Sequence, residues 1–365
     1  MESTRMWSLS GALAALAVAG GVQARDGAAF TISNDAAGNA VLAFRRGNDG
    51  LLQFAGRFLT GGRGSGGGLG SQGAVALSED GELLFAVDAG SSEISSFAVS
   101  GASIRRVGHV SSGGTRPISL TVHDDLLYVL NAGGAGNITG FAVEEEGALV
   151  PLPGSTRPLS GNATDPAQIE FTPDGEHLVV TEKATDRIDV YDVIDDGRVE
   201  GPVVNASSGR TPFGFAFRRD GLLIVSEAFG GAPGASAVSS YASLGDGNVP
   251  RPISTSVPNH ETAACWVVIT RNGRIAFVSN TGSDSISSYR IDRDGRLSLL
   301  DSVAGSTGAR STPIDMALTR QSRFLYALDS GTHAISAFRV RPGGDLEPLP
   351  GISGLPPAAA GLAAR

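Results

Sequence analysis

Two glutamates and an arginine have the side-chain types best suited to acid and base chemistry: Glu182 in "HLVVTEK", Glu227 in "LLIVSEA" and Arg210 in "SGRTPF". A carboxylate can take a proton from water, and a guanidinium can orient a carbonyl oxygen or a substrate carboxylate. Each glutamate closes an apolar run, and Arg210 lies between the two runs. The same groups could equally form a structural ion pair, which perturbs carboxylates without doing chemistry. Five similar runs end instead on Asn34, Asp88, Asn131, Asn280 and Asp329. Short Asn and Asp side chains hydrogen-bond the turn that follows, a local task for which the longer Glu is poorer. That difference sets Glu182 and Glu227 apart.

The elements that carry these residues repeat. "GAVALSEDGELLFAVD" from Gly73 returns as "PISLTVHDDLLYVLN" from Pro117, "PAQIEFTPDGEHLVVTE" from Pro166 and "PFGFAFRRDGLLIVSE" from Pro212. Two further copies start at Ala263 and Pro313, so successive starts lie 44 to 51 residues apart (117 − 73 to 263 − 212), close to the period of roughly 40 to 50 expected of propeller blades. Each unit reads as an apolar strand, an Asp-Gly or Asn-Gly hairpin where preserved, a second apolar strand, a third such as "EISSFAV" or "RIDVYDV", and a weaker fourth. Second strands such as "LLFAV" and "LLIV" are apolar without alternation, as a sheet covered on both faces requires. The N-terminal "AAFTISND", "NAVLAFRR" and "LLQFAGRFL" lack a first strand, and the C-terminal "PPAAAGLAAR" resembles a lone one. Together they complete a further blade and remove two open sheet edges. The predicted fold is all-β: a seven-bladed β-propeller of four-stranded antiparallel blades, forming a single domain over residues 25–365, its ring closed by both termini in one blade. In such a ring the turn after each second strand and the connection into each next blade share one face. Glu182 and Glu227 therefore meet Gln72, Arg116, Asp165, Arg210, His260, Glu261 and Arg310 on one rim.

Composition narrows the partners. A net charge of −9 and a pI near 5.1 exclude nucleic acid and anionic membrane as partners, since neither is attracted to an acidic surface. The five histidines show no metal-ligand spacing, so neither a metal nor a cofactor is expected. Cys265 is the only cysteine, so noncovalent packing must hold the fold. Residues 1–24 read as a signal peptide, with an apolar run from Met6 to Val22 and a small-residue end. The expectation is an exported, periplasmic or extracellular monomer acting on a small molecule, with no membrane span after processing. The run "GGRGSGGGLG", Gly61 to Gly70, contains a G-x-G-x-x-G match with no helix after it, and reads as a flexible rim loop. Lys183 is the only lysine among 28 basic residues and reads as a solvated neighbour of Glu182. Sequons at Asn137, Asn162 and Asn205 matter only in a host that glycosylates exported proteins.

With the "FTPDG" turn, the repeated strand-end Asn, Asp or Glu, "DRIDVY", and "GRTPFGFAF" followed by "LLIVSEA", the chain resembles the lactonase-type seven-bladed propeller family. That family includes bacterial 6-phosphogluconolactonases and fungal carboxymuconate lactonizing enzymes. The resemblance matches Arg210 and Glu227 to two proposed active-site residues of the family. It implies a lactone-opening hydrolase in which Glu227 acts as general base, Arg210 orients the substrate, and Glu182 or His260 assists proton transfer. His260, Arg310 and Gln168 are the expected substrate-binding groups. Gln168, in "TDPAQIEF", stands where the family often has a histidine, and glutamine cannot exchange a proton near neutral pH. Two other readings stay open: a non-catalytic propeller that binds a ligand or protein, and a muconate-type cycloisomerase.

Overall fold

Period-two and unbroken apolar runs separated by glycine turns leave this chain little alternative to antiparallel strands. The computed structural model, which describes residues 27–245 and 248–365, contains seven separate antiparallel sheets. The expected signal peptide lies outside the described residues. Six sheets follow the repeats, running from inner to outer strand in chain order, as in Pro166–Phe171, His177–Glu182, Arg187–Val193 and Val199–Ala206. We number the blades one to seven from the N-terminus, so that this is blade four. In blade three the outer strand is split into Leu149–Pro151 and Arg157–Pro158, both paired with Asn137–Val143. Proline has no N–H to give to a ladder, and Pro151 and Pro153 interrupt that edge.

The hairpins show how local chemistry sets the register. In blade four Thr172 Oγ1 donates to Asp174 Oδ1 at 2.6 Å, the Glu176 N–H donates to the same oxygen at 3.1 Å, and Gly175 takes φ +75°. Only a residue without a Cβ adopts that last conformation cheaply. The second strands are buried on both faces: Leu84 to Val87, Leu127 to Leu130 and Leu223 to Val225 have no exposed surface. Their side chains fill the space between neighbouring blades, where the core lies.

Blade one confirms the circular closure. The C-terminal strand Ala360–Ala364 pairs antiparallel with Gly27–Ile32, matching Ala29 to Ala364 and Phe30 to Ala363. The Arg365 N–H donates to Ala28 O at 2.8 Å, and Thr31 Oγ1 donates to Ala360 O at 3.1 Å. Asp315 on the inner strand of blade seven accepts from the Leu362 N–H at 3.2 Å and its own neighbour's N–H, that of Met316, at 2.7 Å. This buried carboxyl group, pushed up to about 8 by burial, ties the incoming strand to the preceding blade.

Candidate functional site

Six second strands end on the expected residues: Asp88, Asn131, Glu182, Glu227, Asn280 and Asp329. Asn34 lies two residues beyond its strand, at φ +47°. All seven are buried. A feature that was missed from the sequence explains how: five of the six meet a polar side chain at the third position of the next strand, and Asn131 instead donates to Asn137 Oδ1 at 2.8 Å. Ser95 bonds Asp88 at 2.6 Å, Ser239 bonds Glu227 at 2.5 Å, Ser287 bonds Asn280 at 2.8 Å and Ser336 bonds Asp329 at 2.5 Å. Thr139 occupies this position in blade three and Asp189 in blade four. The signal was present in "EISSF", "NITGF", "RIDVY", "AVSSY", "SISSY" and "AISAF", whose third residue is Ser, Thr or Asp.

Glu227 and Glu182 use their extra reach to hold the connections of the rim. Glu227 Oε2 accepts from Ser256 Oγ at 2.7 Å, and its carboxylate also takes the Gly209 N–H, one residue before Arg210. Burial raises the Glu227 carboxyl above the usual range against these hydrogen bonds. A Cβ at Gly209 would meet Glu227 Oε2 at 2.1 Å, so glycine is needed for the backbone to cover it. Glu182 accepts from the Ser160 N–H at 3.0 Å and from Ser160 Oγ and Thr185 Oγ1 at 2.5 Å each. Asp189 Oδ2 shares the Ser160 N–H at 2.9 Å, while its buried Oδ1 has no other partner. Burial first, and the adjoining Glu182 second, push the Asp189 carboxyl up. Asp189 is thereby held toward its protonated form.

The mouth of the ring is built around Lys183, and here the structure corrects the sequence reading. Lys183 is enclosed, with a side chain only 9% exposed. Its Nζ lies 4.6 Å from the centroid of the Phe213 ring and donates to Gly70 O at 2.6 Å. Asp165 Oδ1 is 3.4 Å away and 64% exposed. Burial lowers the Lys183 pKa, Asp165 opposes the shift, and the Arg116 guanidinium adds to it. The enclosing groups come from blades four, five and six and from the connection between blades one and two, which is why a linear reading misses them. That connection is the glycine-rich run, and it is pinned rather than flexible. Gly64 and Gly66 donate to Asp35 O and Asn34 O at 2.8 and 2.9 Å, and the Gln72 N–H donates to Ala167 O at 3.2 Å. Gln72 then crosses the ring, donating from Nε2 to Val267 O at 3.1 Å and accepting the Val267 N–H at 3.3 Å. It ties the connection to the inner strand of blade six. Cys265, close to Lys183, has its thiol pushed up to about 11 by burial, which leaves it a thiol at neutral pH.

This geometry has known counterparts. The family described as "Lactonase, 7-bladed beta-propeller" matches residues 41–157 and 69–351. The chain belongs to the lactonase seven-bladed propeller family. Solved structures similar to it include a candidate 6-phosphogluconolactonase from Bacteroides fragilis, at 17% identity and TM-score 0.72, covering 94% of this chain and 99% of that one. A protein from Lactobacillus plantarum gives 18% identity and TM-score 0.74 over 93% and 99% of the two chains. The periplasmic gluconolactonase of Pseudomonas aeruginosa gives 17% and 0.71 over 92% and 98%. At such identities the likeness establishes the fold. No curated protein matches the sequence.

Within this lactonase-family ring the remaining candidates divide. Gln168 is buried, and its amide grips the next inner strand, accepting the Phe215 N–H at 2.8 Å and donating to Phe215 O at 3.0 Å and Glu170 at 2.8 Å. It acts as a strap between blades four and five. Arg210, His260 and Arg310 are exposed on the rim. His260 and Arg310 adopt φ +65° and +60° at the bends that lead into the inner strands of blades six and seven. Among the described residues no ion pair joins Arg210 to Glu182 or Glu227, so the structural-pair reading does not hold in that form. No group of three His, Cys, Asp or Glu side chains among the described residues could hold a metal.

Proposed function

We propose that this chain hydrolyses a lactone at the mouth of the ring, and that the lactone carries an anionic group. The observation that supports this reading is the trio at the mouth: two cations, Lys183 and Arg116, against one water-accessible carboxylate, Asp165. Excess positive charge around an enclosed ammonium favours an anion and the oxyanion that forms as a cyclic ester is attacked. Lys183 polarises the carbonyl, Asp165 takes the proton from the attacking water, and Arg116 and Arg210 hold the substrate's own anionic group. His260 and Arg310 extend the rim on the side of blades six and seven. Glu227 and Glu182 are positioning groups in this scheme. The first fixes the Gly209 N–H beside Arg210, and the second fixes Ser160 on the connection that leads to Asp165. Two anionic lactones of sugar acids, with and without phosphate, distinguish the substrate, and export through residues 1–24 would favour the unphosphorylated one.

The test is steady-state hydrolysis across such a panel. Asp165→Asn and Lys183→Met should each lower kcat/KM by about 100-fold or more, while Glu227→Gln lowers it less. Equal turnover by wild type and Asp165→Asn removes the base assignment. Saturable lactone binding with no turnover by wild type identifies a binding protein on a lactonase scaffold.

A further inference from the structure

The opposite face of the ring, where the first strands turn into the second and the third into the fourth, carries a groove of about 1170 Å³ across blades five, six and seven. Seven arginines and two aspartates line it, in a chain whose net charge is −9. Arg218 is held in place by Asp220 at 2.7 Å and by Asp292 O at 2.9 Å, and Arg320 donates to Glu79 O. Arg219, Arg271, Arg274, Arg290 and Arg293 are exposed, and among the described residues their guanidinium groups have no hydrogen-bond or ion-pair partner. Half-buried Phe217, Ile269 and Leu318 form apolar parts of the lining.

We infer that this groove binds a small oligoanion carrying several phosphate groups. Five unpaired guanidinium groups around one concavity repel one another, and a bound polyanion removes that cost. Their planar forks match phosphate oxygens two at a time, and the apolar lining strengthens the attraction by displacing water. The groove is too large for one phosphate and has enough donors for several. Charge on the same face directs the ligand. Asp124, Asp125, Glu144, Glu145 and Glu146 line a second hollow at blades two and three, which lies across the ring from blades five to seven. An anion is repelled from the first half and drawn to the second. This site is independent of the lactone site, which lies on the other face.

Isothermal titration with tripolyphosphate tests it on the full chain. The expected result is one saturable site whose affinity falls by about tenfold or more between about 50 and about 200 mM NaCl. Binding should fall by roughly tenfold or more for each guanidinium lost in Arg271→Ala and Arg290→Ala. Both side chains are exposed and unpartnered, so the melting temperature should hold. Arg57→Ala, on the outer strand of blade one, should bind as wild type does. Citrate should bind more weakly than tripolyphosphate. No saturable heat, equal binding by the double variant, or equal affinity for citrate would overturn the proposal. So would low-salt self-association in sedimentation that vanishes in the double variant without tripolyphosphate binding, because the arginines would then serve the acidic half of a second copy.

Discussion

Lys183 and Asp189 are two ionisable groups whose environments oppose their charged forms, and each therefore gives a pH-dependent signature. Burial lowers the Lys183 pKa, so its ammonium is lost at lower pH than an ordinary lysine's. If that ammonium serves the anionic lactone, kcat/KM should fall on the alkaline side below the usual lysine range. Lys183→Arg, always charged, should move that limb to higher pH while keeping measurable activity. For Asp189 the folded-state pKa is raised above the unfolded value. The folded chain then holds more protons than the unfolded one, and stability declines as pH rises from the ordinary aspartate range toward the folded value. Asp189→Ser supplies the hydroxyl that most other blades carry at this position. Thermal unfolding of that variant should lose less stability between acidic and mildly alkaline pH than wild type, with a difference of about 2 °C or more. Identical slopes would mean that the Asp189 carboxyl is not raised in the folded chain.

Between the second and third strands, one polar contact recurs in five of the blades and ties the rim turn to its blade. Ser287 is the clearest case, because it accepts from Asn280 Nδ2 at 2.8 Å and donates to Ser302 O at 2.7 Å with no exposure. Ser287→Ala removes both bonds, although Asn280 Nδ2 keeps Ser285 Oγ at 3.1 Å, and should cost about 1–2 kcal/mol in chemical denaturation, with an unchanged m-value. Exposed Ser298→Ala, at the outer edge of the same blade, should cost almost nothing. This contact also shows what was legible in the sequence. Strand order, the last residue of six second strands and the shared rim all followed from spacing, because strand periodicity is a local property. The hydroxyl partner was visible only as a weak repeat, since Ser is ordinary on a strand until its neighbour is known. Lys183 was misread for a stronger reason. Its enclosure depends on Gly70, Phe213 and Cys265, which ring closure brings together from distant parts of the chain. The Gln168 amide is held by the backbone of the adjoining inner strand, a partner that the linear sequence does not show.

Ring closure depends on the last few residues. Ala360, Leu362 and Ala363 are buried, and their strand supplies the inner edge for Gly27–Ile32 while contacting Asp315 of blade seven. Removing it uncovers Phe30 and Ile32, exposes an unpaired edge and strands the Asp315 carboxyl group without the Leu362 N–H. Each lost backbone hydrogen bond is worth about 1 kcal/mol, and uncovering Leu362 and its apolar neighbours adds about 2 kcal/mol or more. A chain ending at Leu355 should therefore melt well below the full-length protein and associate through the open edge of blade one. A synthetic peptide of residues 357–365 supplied in trans should bind that edge and restore much of the lost melting temperature, because the strand contributes pairing and packing that need no covalent link. The same peptide with Leu362→Asp should fail, since a charge would enter the core between blades one and seven. Full stability in the truncated chain would show that six complete blades and an incomplete one already hold the circle, and that the two termini join without closing it.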